Sequence, residues 1–381
     1  MKTEFWKIRF ATVVAGCCFA ACGVGEAQQS KPILKQFKTI ETIASTVPSN
    51  GDVNPYGIVA IPETVGKLTA GNLLISNFNS SANLQGTGTT IVEVSPEGTV
   101  QLFAQLNATA LPGTCPGGLG LTTALAVTHS GWVIVGSLPT SDGTAATAQS
   151  GCLIVLDKNG NAVETFYGSL INGPWDMTSV DLPDQTVLFV TNVLNGTVAA
   201  GGQVVNSGTV VRIVLSQYAN TAPTIESMTV VGSGFAERTD PAALVIGPTG
   251  VALSQMSAHF TSDEHRDGGL LYVADTLNNR IAIIPDALVR DHTAGTGITL
   301  TSGGSLNFPL GLIAAPNGDL LTVNGGNGYA TEISPFGWQT ARRLLDSSGT
   351  PPGAGALFGL VLQEDGLYYV DDATNTLNIL K

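Results

Sequence analysis

Residues Leu270–Ile284 read LLYVADTLNNRIAII. An apolar run ends at the acidic residue Asp275, a corner rich in asparagine follows, and a second apolar run begins. Two adjacent apolar runs joined by such a corner predict a β-hairpin. Weaker copies of this unit occur along almost the whole chain, so the fold is decided by a repeat.

The copies begin and end at comparable residue types. The first strands begin at corners, three of them of the Pro-x-Gly kind, at Pro55, Thr122, Pro174, Pro248, Pro309 and Leu357. The second strands end in a short polar residue, at Asn77, Ser137, Asn192, Asp275, Asn324 and Asp371. The mean spacing of these ends is (371 − 77)/5, about 59 residues. Four strands per unit at about this period are typical of β-propeller blades.

The two ends of the chain are predicted to meet in one blade. Six units are visible, and the sixth has only three strands, the last being TLNILK over Thr376–Lys381. The segment KQFKTIETI over Lys35–Ile43 reads as a lone strand without a partner nearby. Adding this strand to the sixth unit would close the ring and remove an exposed sheet edge.

Composition supports one all-β domain over residues 31–381. The chain has 381 residues, of which 12% are charged and 46 are glycine, a composition that favours short strands and turns over helices. The formal net charge of −13 argues against nucleic acid as a partner, because an acidic surface repels phosphates. We expect a monomer that binds an unidentified protein or small molecule.

Residues 1–27 are predicted to be a signal peptide. Lys2, Lys7 and Arg9 precede an apolar run over Phe10–Ala21 that is short for a membrane span. Two processing sites fit: cleavage after Ala27, or a lipobox-like Phe-Ala-Ala-Cys that would place a lipid anchor on Cys22. Both predict export to the periplasm or the extracellular space, and the second adds a membrane contact.

Two cysteines outside that segment predict a disulfide. Of five cysteines, only Cys115 and Cys152 lie beyond the predicted leader. An exported chain with one such pair favours a bridge over two buried free thiols. The Cys115–Cys152 bridge would stabilise the fold by about 3–4 kcal/mol in the chain-entropy model.

The fourth unit carries a family resemblance. Its segments Pro248-Thr249-Gly250-Val251-Ala252, Leu271-Tyr272-Val273-Ala274-Asp275 and Asn279-Arg280-Ile281 resemble an NHL repeat. The resemblance implies a six-bladed β-propeller related to the lactonase-like and strictosidine-synthase-like families. Lactonase-like propellers use a glutamate at the entry of the first blade, with asparagine and aspartate, as metal ligands; this chain has Asn54-Pro55 there.

Connections of a four-stranded meander alternate between two faces. The corner before strand one and the loop after strand two share a face, here called the loop face, and the other two turns lie on the opposite turn face. Three loop-face connections are long and rich in small polar residues, namely Phe78–Thr89, Leu138–Gly151 and Val193–Gly208. They predict either a binding rim at the channel mouth or tolerated surface insertions.

One corner departs from the others. Trp175-Asp176 places a carboxylate where most units have a small residue. Together with Asn172 and Asn192, Asp176 predicts a site for calcium or another divalent cation, or else a lone hydrogen-bonded carboxylate. The mouth candidates for ligand contact are Asn54, Tyr56, Asn172, Trp175, Asp176, Asn192 and Asn307.

The polar ends of the second strands have two interpretations. Asx-type bonds to the backbone would hold each corner, and the alternative is that some of these oxygens bind a cation. The ring consists of Asn77, Ser137, Asn192, Asp275, Asn324 and Asp371.

Two function classes remain open from the sequence. The first is a ligand- or protein-binding module that uses the channel mouth and the long loops. The alternative is a metal-dependent hydrolase or lyase of the lactonase-like kind. No Gly-x-Ser-x-Gly elbow, Walker loop or HExxH motif occurs to decide between them.

Overall fold

The chain forms a six-bladed β-propeller in the computed structural model, which describes residues 31–218, 221–254 and 268–381. Each blade contains an antiparallel sheet of four strands, as the repeat predicts, and blade 3 carries a short fifth strand in addition. The blades comprise β2 to β5 (Val53–Ala60, Leu73–Asn79, Thr90–Val94, Val100–Gln105), β6 to β9 (Leu121–Val127, Val133–Ser137, Cys152–Leu156, Ala162–Phe166), β10 to β13 (Pro174–Asp181, Gln185–Asn192, Val205–Ser216, Ile225–Asp240), β15 to β18 (Pro248–Leu253, Leu271–Asp275, Arg280–Ile284, Ile298–Ser302), β19 to β22 (Pro309–Ala314, Leu320–Asn324, Tyr329–Ile333, Gln339–Leu344), and β23 to β25 (Leu357–Gln363, Gly366–Asp371, Thr376–Leu380) with β1 (Ile40–Ser45).

The predicted closure of the ring is confirmed. Strand β1 pairs antiparallel with β25, from Ile40 opposite Leu380 to Ser45 opposite Thr376. The backbone N–H groups of Lys38 and Thr39 donate to the carbonyl of Lys381 at 2.7 and 2.8 Å. The last blade is therefore assembled from both ends of the chain.

The start of the closing segment differs from the prediction. Residues Ile33–Gln36 form a short helix, α1, and the strand begins five residues later than Lys35. The reason is a buried carboxylate, because Glu332 of blade 5 accepts the N–H groups of Ile33 and Leu34 at 2.7 and 2.9 Å. Leu34 packs into the core between blades 5 and 6.

Glycines at the inner corners allow neighbouring blades to approach closely. A Cβ atom on Gly57, Gly311 or Gly359 would come within 3 Å of a backbone carbonyl of the next blade. These positions therefore need glycine for space. Asp176 occupies the corresponding position in blade 3, so the seam between blades 3 and 4 has to accommodate a carboxyl group.

Blade 3 is larger than the repeat predicts. Strands β12 and β13 have 12 and 16 residues and extend beyond the loop face. The short strand β14 (Leu244–Ile246) then pairs with the end of β13 and folds back toward the channel. No repeat pattern predicts this extension.

Several predictions lie outside the described residues. These are the signal peptide over residues 1–27 and the lipid anchor at Cys22. Among the residues that the structure does describe, no helix has the length and apolar character to cross a bilayer.

Candidate functional site

The centre of the propeller holds a cavity of about 310 Å³. All six innermost strands contribute to its wall, whose side chains are mainly aliphatic, with Thr123, Asp176, Thr178 and Ser179 as the polar ones. In five of these strands the residues after the inner corner are buried and those near the turn face are half-exposed, whereas β6 is buried along its whole length. The cavity therefore opens toward the turn face, on the side opposite the predicted mouth.

An aromatic layer fills the loop-face end of the channel. The ring of Tyr56 stacks on Phe78 and Phe358 at centroid distances of 4.5 and 3.7 Å. Trp175 lies 6.3 Å from Phe358 and donates its indole N–H to the carbonyl of Val245. Tyr56 and Trp175, both predicted to contact a ligand, are thus buried in this layer and do not border the cavity.

The long loops pack against one another above the aromatic layer. Thr140 donates its amide and its hydroxyl to the carbonyls of Gly86 and Gln85. Gln85 in turn donates to the carbonyl of Pro241 at 3.0 Å. The predicted disulfide is confirmed, with the Cα atoms of Cys115 and Cys152 5.2 Å apart. The loops form a joined cover over one half of this face.

Asp176 is almost completely buried in the channel wall. Its Oδ1 accepts the N–H of Met177 at 2.8 Å, and its Oδ2 accepts the N–H of Val251, in blade 4, at 3.3 Å. Burial raises the pKa of this carboxyl from 3.8 to about 8, against the opposing effect of the two N–H donors. The group is therefore predominantly protonated at neutral pH.

Asn172 and Asn192 belong to a different cluster. The amide of Asn172 donates to Asn195 Oδ1 at 2.5 Å, and Asn192 Oδ1 accepts the N–H of Gly173 at 3.3 Å. Asn195 donates its own N–H to Glu237 Oε1 at 3.0 Å. No hydrogen bond recorded for the described residues joins Asp176 to either predicted co-ligand.

Glu237 is the carboxylate that sequence reasoning missed. It is fully buried, and burial raises its pKa from 4.5 to about 7. Its Oε2 and the Oδ1 of Asn172 lack a hydrogen-bond partner. Glu237 lies 42 residues from Asn195 in the extended part of β13, where no blade pattern applies. The only available signal was a lone acidic residue beyond the regular strand.

Asn54 and Asn307, the remaining mouth candidates, form hydrogen bonds that stabilise the local backbone. Asn54 has a φ of 60°, donates its backbone N–H to Asn375 Oδ1 and donates its side-chain amide to Asp372 at 3.1 Å. Burial first, and then the charges of Asp371 and Asp346, raise the pKa of Asp372 well above its usual value. Asn307 donates its N–H to Asn324 Oδ1.

All six members of the polar ring are buried. Ser137 Oγ accepts the N–H of Gly120, and Asp371 Oδ1 accepts that of Thr374. Asn77 donates its amide to the carbonyl of Thr46, next to the closing strand. Asp275 instead forms an ion pair with Arg280 at 2.7 Å. These bonds are of the kind expected from the corner interpretation.

The donor set around Asp176 does not fit a divalent cation. Hard cations need several oxygen ligands, whereas this carboxyl faces backbone N–H donors and is favoured in its neutral form. Within residues 31–218, 221–254 and 268–381, no three His, Cys, Asp or Glu side chains group so that they could hold a metal ion. The predicted combination of Asn172, Asp176 and Asn192 therefore supports no metal-dependent step.

Comparisons with known structures agree with the fold. The chain is similar to a gluconolactonase from Xanthomonas campestris (13% identity, 92% of this chain and 94% of that chain, TM-score 0.51). It is also similar to a luciferin-regenerating enzyme (11% identity, 89% and 94% covered, TM-score 0.53). A virginiamycin B lyase from Staphylococcus aureus aligns at 12% identity over 90% of this chain and 98% of that chain, with a TM-score of 0.49. No protein-family model and no curated protein matches the sequence. At these identities the likeness establishes the six-bladed fold.

Proposed function

We propose that the protein is a hydrolase or lyase that acts on a small, mainly apolar ester or lactone in the channel cavity, with Asp176 as its acid–base group. The observation that carries this proposal is a protonated carboxyl in the wall of an apolar cavity of about 310 Å³. A largely apolar pocket with a few polar groups and a perturbed pKa is the default site for small-molecule chemistry.

The geometry suits proton donation by Asp176. Oδ1 accepts the shorter N–H bond, from Met177, so we place the proton on Oδ2. From there it can be donated to a carbonyl or to a leaving oxygen of a substrate in the cavity. A carboxylic acid whose pKa lies near the working pH is well matched to this role.

The resemblance to an NHL repeat and the similarity to solved propeller structures are compatible with hydrolase or lyase activity. The sequence of the fourth unit supports an NHL-type blade. The gluconolactonase and the luciferin-regenerating enzyme show that this six-bladed architecture occurs in enzymes. In our proposal the reaction runs through a neutral carboxyl, because the residues around Asp176 do not fit the metal of the lactonase-like kind.

A second candidate function is favoured by one observation on the loop face. A groove of about 480 Å³ lies between the long loops of blades 2 and 3, lined by Gly117, Gln149 and Leu194 among others. A partner or ligand bound there would make the protein a binding module, as the loop lengths predict.

We expect Asp176→Asn to lower kcat/KM by about 10²–10⁴-fold in a panel of apolar lactones and esters. The substitution keeps the shape of the side chain but removes its transferable proton. Activity of the parent should fall as pH rises through about 8, where Asp176 ionises. The measurement is steady-state hydrolysis with thermal unfolding in parallel.

Asp181→Asn is the matched control for this experiment. Asp181 is the last residue of β10, the strand that also contains Asp176. Its carboxylate binds the ring of His129 at 2.9 Å and does not line the cavity. Full activity in Asp176→Asn would refute the acid–base role. Turnover of no panel member, together with ligand binding lost on shortening the Leu138–Gly151 loop, would favour the binding module.

A further inference from the structure

The turn between the outer two strands of blade 5 exposes two large aromatic side chains. Phe336 is 82% exposed and Trp338 is 70% exposed, the highest values among the large hydrophobic residues that the structure describes. The turn is well defined, because Ser334 donates its N–H to Trp338 and accepts the N–H of Gly337. It packs against Leu300 of blade 4, close to Ile298, which is 63% exposed. A fixed turn that presents apolar rings to solvent is typical of a contact surface.

The neighbouring hairpin tip of blade 6 is basic. Lys38 and Lys381 meet there, and Arg343 Nη2 donates to the carbonyl of Lys38 at 2.7 Å. With Lys35 and Arg342, five of the 16 lysines and arginines of the chain lie in α1, the blade 6 tip and β22. The chain as a whole carries a net charge of −13, so this concentration is not a general property of its surface.

Four acidic residues lie near this tip, namely Glu41, Glu97, Glu364 and Asp365, and two of them have partners. Glu41 forms an ion pair with Lys381 at 2.7 Å. Asp365 accepts the hydroxyl of Tyr368, and Glu364 lies beside it in the turn between β23 and β24. The aromatic tip of blade 5 and the basic tip of blade 6 thus form one turn-face surface of mixed apolar and positive character.

The chain enters the propeller at the same place. Helix α1 binds Glu332, which lies four residues before Phe336. Cys22, the predicted lipid-anchor residue, precedes Pro32 by only ten residues. A chain anchored at its N-terminus would hold this surface, rather than the loop face, within reach of the bilayer.

We propose that the turn-face surface of blades 5 and 6 docks on an anionic lipid bilayer, with Phe336 and Trp338 entering the interface. Tryptophan favours the headgroup region because its ring is apolar and its N–H is polar. Lysine and arginine near the surface are attracted to anionic headgroups. The channel cavity opens toward the same face, so docking would direct its opening at the membrane.

Trp338 supplies a direct readout. The other described tryptophans, Trp132 and Trp175, are at least nine-tenths buried. The exported protein is mixed with vesicles of phosphatidylglycerol and phosphatidylethanolamine whose acyl chains are brominated. We expect quenching and a blue shift of the tryptophan emission, and we expect both to be absent from Trp338→Phe.

Charge and apolar variants test the two parts of the surface separately. Lys38→Gln with Lys381→Gln should weaken vesicle affinity by about 30-fold, since each of the two lost charges removes on the order of 1 kcal/mol and about 1.4 kcal/mol corresponds to tenfold. Phe336→Ser should reduce binding and quenching without loss of folding, because the side chain is exposed. Tyr167→Ser, which alters an exposed aromatic residue of blade 2, is the control and should bind as the parent does.

Three results would overturn the proposal. The first is no quenching with anionic vesicles, and the second is equal quenching in Trp338→Phe. The third is equal affinity of the parent for anionic and for phosphatidylcholine vesicles, with no loss of affinity for anionic vesicles in the lysine variant. Capture of a protein through Trp338 without any vesicle binding would assign the surface to a protein partner instead.

Discussion

A chain that begins at residue 49 is expected not to fold, whereas a chain that begins at residue 31 folds. The deletion removes β1, which forms the outer strand of blade 6 and pairs with β25. It also removes Leu34 from the core between blades 5 and 6. The loss of a full strand ladder and its apolar contacts is of the same order as the total stability of a domain, about 5–15 kcal/mol. Circular dichroism and thermal unfolding measure the outcome.

A chain in which β1 is moved from the N-terminus to the C-terminus provides the control. Lys38 and Thr39 already bond to the carbonyl of Lys381, so residues 38–48 can follow Lys381 through a short turn. This permuted chain should fold, and it should unfold at a temperature below that of the parent, because the pairing of β1 with β25 is preserved whereas the core contacts of Leu34 are lost. If the deleted chain unfolds at the parent's temperature, closure by the N-terminal strand contributes little, and the account of the ring is wrong.

Asp176→Asn is expected to stabilise the protein at alkaline pH relative to the parent. Burial raises the folded-state pKa of Asp176 to about 8, whereas the unfolded chain has a value near 3.8. The folded state therefore holds this proton more tightly, and its stabilising contribution is complete below about pH 4. The contribution decreases as pH rises toward 8 and is lost above it. At 1.36 kcal/mol per pKa unit, the difference is on the order of several kcal/mol.

The parent must be compared with a variant because ionisation of other buried carboxyl groups also lowers the free energy of unfolding as pH rises. Burial also raises the pKa values of Glu237 and Glu332 to about 7. Denaturant unfolding between pH 4 and 9 should show a smaller loss of unfolding free energy in Asp176→Asn than in the parent, with Asp181→Asn following the parent. Parallel curves for all three proteins would show that Asp176 titrates normally.

The repeat made the architecture predictable. Apolar runs, glycine turns and the polar ends of the second strands recur, and each maps to a strand or corner of a blade. Closure of the ring was predictable because the sixth unit has only three strands and the N-terminal strand has no partner nearby in the sequence. The bridge between Cys115 and Cys152 was predictable because no other cysteine lies beyond the predicted leader.

The site was less predictable because it depends on packing between blades. Asp176 was visible as a break in the repeat, but its protonation follows from burial against Val251 of the next blade. The aromatic layer of Tyr56, Phe78 and Phe358 comes from blades far apart in sequence, so nothing local indicated that it would fill the loop-face end of the channel.

Two further features could not be predicted from the repeat. The extension of blade 3 brings Glu237 to the asparagine cluster, yet its sequence carries no blade signal. Ser334-Pro335-Phe336-Gly337 forms a tight turn, but turn chemistry alone does not show that Phe336 and Trp338 point into solvent.

The proposed acid–base role of Asp176 requires a protonated carboxyl at neutral pH, which infrared spectroscopy can measure. The carboxyl stretching band, isolated as the infrared difference between the parent and Asp176→Asn, can be followed from pH 3 to pH 10 in protein treated with chelator. Our account predicts a neutral carboxylic acid at pH 7 that ionises with a pKa of about 8. A carboxylate band at pH 7, with ionisation near the ordinary aspartate value of about 4, would contradict it.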